Sequence, residues 1–376
     1  MTPSTVGLPG SSRLDIGTFS RIFSDTTNSY KHFFFLALLD RIGTRSLSAL
    51  DRPIPLADLA VDMVLSAWYP HGFCRLSLGA RDMLQVEVDK VDWGGIRGAW
   101  IKAGGPEWRR LRESCAASLD PDTLMRYVPF RLLRPFFKDE LSGVAEHLVN
   151  ERVVALSEEF FMSRKPLYCF THDRAGIILH HEWAEYLDRN APILRGWARF
   201  NLAAYLQSRN PNATGIMEKL EAPLARASLD KQTFWWREAL PLIGGRARCI
   251  YTGAALDPED ISLDHYLPWS FVAHDRLWNL VPVDRAVNSA KSDRLPDRRY
   301  LDGLVDIQHA GIVALFEHWP LERWTNSIEP WIVDFGIDKA GLLDRTRLRS
   351  AYESMILSLE HVASRQGFPL GWTASA

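Results

Sequence analysis

Apolar residues recur at helical spacing through most of the first 240 positions of the chain. The segment 30–42 is apolar nearly all round, which predicts a helix at the centre of its domain. Residues 25–29, directly before it, offer several side chains that can cap a helix N-terminus. Further helices are predicted over 56–68, 141–164, 175–207 and a stretch ending near 235–236. Residues 75–79 are more typical of a strand.

The pattern of the chain changes near residue 240. Two glycines and several basic residues in 242–248 precede a short β-like run at 249–253. The alternation that begins at residue 261 predicts a strand that ends at Asp264 and His265. A polar loop follows, and 277–283 predicts a strand that returns beside the first. Asp284 can then cap a helix. After residue 296 the pattern is helical again, most clearly over 301–318 and 345–364.

Length and composition suit a protein of two parts. The chain has 376 residues, which is more than one hydrophobic core usually organises. Its 47% apolar and 24% charged residues are close to the averages of globular proteins, which excludes a mostly disordered chain, a collagen-like repeat and a coiled-coil rod. We therefore expect an α+β fold with a flexible leader at 1–12, a mainly helical domain at 13–240, a compact module at 241–300, and C-terminal helices at 301–376 that pack back on the helical domain.

The charge of the chain limits the partners it can have. The formal net charge is −2, so the chain-wide basic excess that would suggest non-specific binding of nucleic acid or membranes is absent. Four scattered cysteines are too few for a disulfide framework or a four-thiolate zinc site, and they fit a reducing cytoplasm. The longest conspicuous apolar run, 33–39, is far shorter than the roughly 20 residues that span a bilayer, so no membrane partner is expected.

One local exception to this neutral charge lies at 97–138. This segment contains nine basic residues and only four acidic ones, and six aromatic residues are interleaved with them. Arginines beside aromatic rings suit phosphate contacts combined with base stacking. The alternative is a solvated helix face with aromatic side chains on its buried side. The candidate nucleic-acid contacts are Arg97, Lys102, Arg109, Arg110, Arg112, Arg126, Arg131 and Arg134.

The chemistry of the chain is concentrated between residues 261 and 296. The first strand delivers Asp264 and His265 side by side at its end, and a helix after the returning strand carries Asn288 and Lys291 on one face. A hairpin packed on that helix would bring all four into one cleft. Carboxylate and amide oxygens are the hard ligands that Mg²⁺ prefers, which points to Asp264 and Asn288 as metal ligands. The intrinsic pKa of histidine suits a general base near neutral pH, and a lysine can hold a phosphate as a point charge.

At these residues the sequence resembles the HNH, or ββα-metal, endonucleases, and most of all the HNH domain of the RNA-guided CRISPR effector nuclease. The resemblance covers 249–296 and rests on Asp264, His265, Pro268, Ser270, Asn279, Asn288, Lys291, Ser292, Asp293 and Pro296. It implies that Asp264 and Asn288 bind the catalytic Mg²⁺, for which Mn²⁺ can substitute, and that His265 is the general base. Asn279 would order the hairpin loop by hydrogen bonding. The implied products carry 5′-phosphate and 3′-hydroxyl ends.

One feature departs from many HNH proteins. They often hold a structural zinc with two Cys-x-x-Cys knuckles, whereas here Cys249 stands alone with Thr252 where its partner would be. We therefore expect no structural zinc. The hairpin must then be held by the packing of Ile250, Tyr251, Trp269, Phe271 and Trp278.

Two hypotheses stay open for the whole chain. In the first, a self-sufficient, restriction-like endonuclease of bacterial defence cuts DNA that its own N-terminal domain reads. In the second, the chain is the nuclease subunit of a larger complex, with guide RNA and CRISPR subunits as partners. Through the segments 27–36, 67–70 and 128–131, the first 240 residues faintly resemble HNH-fused subunits of type I CRISPR surveillance complexes. That resemblance implies the second hypothesis, and the near-neutral charge favours it. The basic segment at 97–138 favours the first.

Overall fold

The computed structural model of the protein describes residues 7–44, 52–93, 106–223 and 227–374. The chain divides into two compact units, Met1–Pro211 with Ile216–Leu224, and Asn212–Gly215 with Ala225–Ala376. The described residues are mainly helical with a few short strands, so the predicted fold class is confirmed. None of the described helices combines the length and apolar character needed to cross a membrane.

The first unit is built around the predicted central helix. The helices of this unit are α1 (Ile16–Phe19), α2 (Tyr30–Thr44), α3 (Leu56–Ala67), α4 (Met83–Lys90), α5 (Pro106–Ser118), α6 (Pro121–Met125), α7 (Val128–Leu133), α8 (Glu146–Glu159), α9 (His181–Arg189) and α10 (Ala191–Arg209). In α2, Phe33, Phe34 and Phe35 are all buried. Three consecutive buried rings need neighbours on several sides of the helix, which explains why the sequence is apolar nearly all round.

A small antiparallel sheet in this unit was missed in part by the sequence prediction. Its strands β1 (Ile54–Pro55), β2 (Tyr168–Phe170) and β3 (Gly176–Leu179) are ordered β1-β3-β2. The helix predicted over 175–207 is therefore wrong at its beginning, because 176–179 pairs with β1 and β2. A short apolar run rich in isoleucine fits a buried strand as well as a helix, and only the pairing decides.

Two other local predictions in this unit need correction. The strand predicted at 75–79 is wrong, because the side chain of Asn210 donates to the carbonyl of Ser77 and accepts from its N–H, both at 2.9 Å, taking the groups a ladder would use. The helix predicted from residue 141 begins only at Glu146. Gly143 has a φ of +78°, which is incompatible with a continuous right-handed helix.

The second unit begins before the expected boundary. Its elements are α11 (Asp230–Ile243), β4 (Ser262–His265), α12 (Trp269–Val272), β5 (Leu280–Val283), α13 (Arg285–Lys291), α14 (Leu301–His318), α15 (Leu321–Ser327), α16 (Glu329–Phe335), α17 (Lys339–Leu343) and α18 (Arg345–Arg365). The boundary predicted near 240 is therefore too late, because α11 belongs to this unit. Trp236 on α11 is fully buried and donates from Nε1 to the carbonyl of Leu280 in β5 at 3.2 Å.

One hydrophobic core joins the elements of the second unit. It contains Trp236 from α11, Leu263 and Val281 from the two strands, and Leu304 and Tyr352 from the C-terminal helices. The helices predicted over 301–318 and 345–364 are confirmed. Helix α14 packs on α11, and Nε2 of its Gln308 donates to the carbonyl of Leu280 in β5 at 3.0 Å. Helix α18 packs on α14, and the hydroxyl of its Tyr352 donates to the carbonyl of Trp278, just before β5, at 3.0 Å. That these C-terminal helices pack on the N-terminal domain stays a prediction.

The segment after α11 is a turn with little β structure. The run 249–253 forms no strand, and Arg248 pairs only with Ala255 as an isolated bridge. Gly253 has a φ of +71°, and its N–H donates to the carbonyl of Cys249 at 2.8 Å. The positive φ reverses the chain here, so that Tyr251 comes to lie against the hairpin.

Candidate active site

The hairpin of β4 and β5 and the helix α13 position the predicted site residues. In the antiparallel register Asp264 lies opposite Val281 and His265 opposite Leu280. Asp284 caps α13 by accepting a hydrogen bond from the N–H of Ala286 at 2.7 Å, as the sequence predicts. The strand–loop–strand–helix order expected from the pattern is thus present, although the returning strand covers 280–283 rather than 277–283.

Asp264 is buried at the end of β4 and holds two partners. Its Oδ2 accepts a hydrogen bond from the hydroxyl of Tyr251 at 2.7 Å, and its Oδ1 accepts one from Nζ of Lys291 at 3.1 Å. Burial, and then the charge of Asp264, raise the pKa of the Tyr251 hydroxyl well above its usual value. The phenol therefore stays protonated and can only donate to the carboxylate. Sequence reasoning expected Tyr251 to serve only in packing.

Lys291 is fully buried beneath this carboxylate. Besides Asp264, its ammonium group donates to the main-chain carbonyl of His265 at 2.6 Å. Burial lowers the pKa of Lys291, and the charge of Asp264 opposes that shift. The structure thus places Lys291 in a buried ion pair that links α13 to β4. Its contact with a substrate phosphate stays a prediction.

His265 is held by an acidic residue that sequence reasoning missed. Its Nε2 lies 2.7 Å from Oδ1 of Asp275, in the loop between the two strands. The side chain of Gln232 on α11 donates to the carbonyl of Asp275 at 3.1 Å, which fixes that part of the loop. The available signal was an acidic residue in the loop that follows Asp264 and His265, the predicted site residues at the end of β4. That signal is weak, because loops are commonly acidic.

A second histidine lies in the same loop. Burial lowers the pKa of His274 to about 4, so its ring is uncharged at neutral pH. The ring packs on Trp278 with centroids 5.3 Å apart. Because the ring of His274 is uncharged, it does not compete with His265 for the carboxylate of Asp275.

The side chain of Asn279 forms hydrogen bonds across the loop between β4 and β5. The side chain is fully buried, accepting from the N–H of Leu267 at 2.8 Å and donating to its carbonyl at 2.9 Å. The main-chain carbonyl of Asn279 also accepts from the N–H of Tyr266 at 2.8 Å. These bonds join the two ends of the loop, which is the structural task that the resemblance implies for this residue.

Asn288 lies on α13 beside the strand that carries Asp264. Its Nδ2 donates to the hydroxyl of Ser262 at 2.8 Å and to the carbonyl of Leu263 at 3.1 Å. Among the described residues, no hydrogen bond to its Oδ1 is present. The two hydrogen bonds that Nδ2 donates therefore fix the orientation of the amide, and Oδ1 can accept a hydrogen bond or bind a cation.

The oxygen donors fit the predicted metal pair. Asp264 and Asn288 supply a carboxylate and an amide oxygen, which are the hard ligands of Mg²⁺. Oδ2 of Asp264 accepts a hydrogen bond from Tyr251, and Nζ of Lys291 lies 3.1 Å from each carboxylate oxygen. Because each oxygen has two lone pairs, these three contacts leave Asp264 able to bind a cation. Within the described residues, no group of three or more His, Cys, Asp or Glu side chains is placed to hold a metal ion.

The candidate nucleic-acid contacts belong to the first unit, where those that the structure describes lie in two places, on α5 and near α7. Arg97 and Lys102 lie outside the described residues. Arg109 and Arg110 are exposed on α5, whereas Arg112 pairs with Asp62. Arg126, Arg131 and Arg134 lie together near α7, and the guanidinium groups of Arg126 and Arg131 lie 5.2 and 4.7 Å from the ring centroid of Tyr127. Binding of nucleic acid by this set stays a prediction.

Comparison with known proteins bears on one part of the chain. Residues 249–297 match the family model of HNH endonucleases. The matched segment contains the Tyr251–Asp264–Lys291 cluster and His265, Asn279 and Asn288. No curated protein matches the chain significantly, and no solved structure does. The chain therefore carries an HNH endonuclease domain, which covers about an eighth of its length.

Proposed function

We propose that this protein is a Mg²⁺-dependent DNA endonuclease that hydrolyses one strand at each visit of its HNH domain. The observation that carries the proposal is the convergence of Asp264, His265 and Asn288 on one hairpin and the helix behind it, inside the matched segment. An HNH nuclease acts on nucleic acid and generally depends on a divalent metal. The choice of Mg²⁺ rests on the oxygen ligands, and Mn²⁺ prefers the same ligand type.

The proposed mechanism assigns the proton transfer to His265. The carboxylate of Asp275 favours the tautomer with its proton on Nε2, so Nδ1 is the nitrogen that can take a proton from water. The oxygen of that water attacks phosphorus, and the bond from phosphorus to the 3′ oxygen breaks. The 3′ oxygen gains a proton from solvent, which leaves a 3′-hydroxyl and a 5′-phosphate. Asp264 and Asn288 would hold the divalent cation, which would supply stabilisation of the negative charge that develops in the transition state.

Three residues hold this arrangement in place. Lys291 and Tyr251 orient the carboxylate of Asp264, and Asn279 fixes the loop in which Asp275 lies. A group positioned before substrate arrives needs little reorganisation during the reaction, which lowers the barrier. A single centre of this kind cuts one strand, so a double-strand break requires two visits or two copies.

The first test is nicking of supercoiled plasmid DNA with Mg²⁺ by the wild-type protein and by His265→Ala. We expect wild type to nick, chelation by EDTA to stop it, and His265→Ala to lower the rate at least about 100-fold. His172→Ala is the matched control, because His172 is exposed in the first unit. Full activity of His265→Ala in a folded protein would overturn the assignment.

A second candidate function concerns the partners of the chain. The net charge of −2 favours a nuclease subunit of a larger complex in bacterial antiviral defence, with guide RNA and CRISPR subunits choosing the target. The exposed arginines of α5 favour a restriction-like endonuclease of the cytoplasm that binds DNA by itself. Purification of the chain from its native host separates the two. Stable association with RNA and other subunits supports the complex, and a monomer or dimer that binds DNA alone supports the independent nuclease.

A further inference from the structure

A cavity of about 240 Å³ lies in the first unit, between the start of α2 and the segment α7–α8. Three cationic side chains line it, namely Lys31 of α2, Arg131 of α7 and Arg134 directly after it. The carboxylates of Asp25 and Glu146 line it as well. Only Arg131 and Arg134 belong to the basic segment recognised in the sequence, since Lys31 comes from a distant part of the chain.

The cations of this cavity are held more firmly than the carboxylates. Lys31, Arg131 and Arg134 are half-buried, whereas Asp25 and Glu146 are exposed. Lys31 donates to the main-chain carbonyl of Asp25 at 2.7 Å, which fixes its ammonium group. An exposed carboxylate gains little from such pairs in water and can rotate away at small cost. The fixed part of the lining is therefore positive.

The two arginines keep buried donors without partners. Oε1 of Glu146 accepts from Nη2 of Arg134 at 2.8 Å and from Nη2 of Arg131 at 3.4 Å. The Nε atoms of both arginines are buried and make no hydrogen bond to any described residue. A buried N–H without an acceptor is costly, and an unseen anion or water is a common reason for one. One shared carboxylate oxygen thus leaves both guanidinium groups incompletely satisfied.

The surroundings hold the cations close to one another. Burial lowers the pKa of Lys31, and the charges of Arg134 and Arg131 lower it further against the opposing effect of Asp25. The guanidinium carbon of Arg131 lies 4.7 Å from the ring centroid of Tyr127, and this cation–π contact stabilises the position of the side chain. Like charges kept this close repel, and a multivalent anion between them would relieve that repulsion.

We propose that this cavity binds a phosphate group, carried either by a free nucleotide or by nucleic acid. Phosphate offers several oxygens to two guanidinium forks and one ammonium, whereas Glu146 now offers one oxygen to both forks. The volume suits a phosphate group with little of its carrier, so the carrier extends into solvent. This site lies outside the HNH domain, and its test requires no cleavage.

The test is calorimetric titration of the full chain in EDTA with adenosine 5′-monophosphate, and with adenosine as the uncharged probe. We expect the monophosphate to bind and adenosine to bind at least about tenfold more weakly. Arg134→Gln should weaken binding of the monophosphate about tenfold or more, and Lys31→Gln should weaken it as well. Glu146→Gln should strengthen it, because the competing carboxylate is removed.

Arg152→Gln is the matched control. Arg152 is exposed on α8, the helix that begins with Glu146, and does not line the cavity, so its loss should change affinity less than about twofold. Equal binding of adenosine and its monophosphate overturns the proposal, as does an equal loss in Arg152→Gln and Arg134→Gln. Circular dichroism establishes whether each variant is folded. If Arg134→Gln is not folded, the affinities of the single variants Lys31→Gln and Glu146→Gln for the monophosphate decide the question.

Fluorescence anisotropy with a short labelled single-stranded DNA distinguishes the two carriers. Competition between this DNA and the monophosphate, with DNA affinity lowered in Arg134→Gln, identifies nucleic acid as the source of the phosphate. Binding of the monophosphate with DNA affinity unchanged in Arg134→Gln identifies a free nucleotide. Dependence of neither probe on Arg134 overturns the proposal. Loss of plasmid nicking in His265→Ala affects none of these outcomes, so the two proposals fail independently.

Discussion

Oδ1 of Asp275 lies 2.7 Å from Nε2 of His265, across the loop that joins the two strands of the HNH hairpin. A carboxylate at this distance orients the imidazole and favours one tautomer, which directs the other ring nitrogen to proton transfer. Asp275 touches no reacting atom in the proposed mechanism, so it is a positioning residue. Its contribution should appear in turnover rather than in substrate binding.

Replacement of Asp275 should therefore lower kcat in a graded way with little change in KM. Asp275→Asn keeps an acceptor but loses the charge, and we expect about a tenfold loss of nicking rate. Asp275→Ala loses both, and we expect about a 100-fold loss. Initial rates at several DNA concentrations separate kcat from KM. Wild-type kcat in Asp275→Ala, or a loss confined to KM, contradicts the positioning role.

The buried ion pair of Lys291 and Asp264 gives a prediction about stability. Lys291→Met leaves the carboxylate of Asp264 buried beside Tyr251 without its cation, so unfolding free energy should fall by about 3–5 kcal/mol. Urea unfolding measures the change. Arg285→Met is the matched control, because Arg285 is exposed on the same helix and should cost less than about 0.5 kcal/mol.

A double variant sharpens that test. Asp264→Asn with Lys291→Met removes both charges, so it should be more stable than Lys291→Met alone. Equal stability of Lys291→Met and Arg285→Met would show that Lys291 does not stabilise the fold through this pair. Its role would then rest on substrate contact, as the sequence first suggested.

The order of elements in the HNH domain could be predicted because its signals are local. Alternation around Asp264 predicts a strand, and Asp284 is a helix cap whose hydrogen bond is formed within two residues. Tyr251 and Asp275 were missed as partners, since they approach the site from a turn and a loop. Their distances to Asp264 and His265 depend on how the chain closes in three dimensions, which no periodicity encodes.

The first unit shows where periodicity itself is ambiguous. Ile177 lies in a strand opposite Ile54, yet the same apolar run reads equally well as the start of the helix that follows. The boundary near 240 was misplaced for a related reason, because two glycines mark the end of α11. A helix end need not be a domain end. The burial of Trp236 decides which core α11 joins, and that burial is tertiary information.

The orientation of Asn288 leads to a prediction about the metal. With Oδ1 as a ligand, Asn288→Ala should raise the Mg²⁺ concentration for half-maximal nicking about tenfold or more, and excess Mg²⁺ should restore part of the rate. Ser262→Ala removes one hydrogen bond to Nδ2 and keeps the oxygen, so its Mg²⁺ dependence should shift less. The measurement is a Mg²⁺ titration of the nicking rate. Identical titrations for wild type and Asn288→Ala would exclude the amide as a ligand.

The buried histidine of α2 predicts how stability changes with pH. His32 is buried between the rings of Phe23 and Tyr205, and neither ring nitrogen hydrogen-bonds to a described residue. Burial, and to a lesser degree the charge of Lys31, lower the pKa of His32 to about 3. The unfolded chain binds this proton near pH 6.5 and the folded chain does not. The contribution to stability is therefore complete above pH 6.5 and is lost as the pH falls toward about 3.

Because the unfolded chain binds a proton at His32, the unfolding free energy of the wild-type protein should be about 2 kcal/mol lower at pH 5 than at pH 7.5. His32→Leu removes the titrating group and keeps an apolar side chain of similar size, so its loss over the same interval should be smaller by that amount. Urea unfolding at both pH values gives the comparison. His172→Leu, at an exposed position of the same unit, should leave the pH dependence as in wild type. Equal pH dependence of wild type and His32→Leu would mean that the imidazole is protonated or solvated inside the fold.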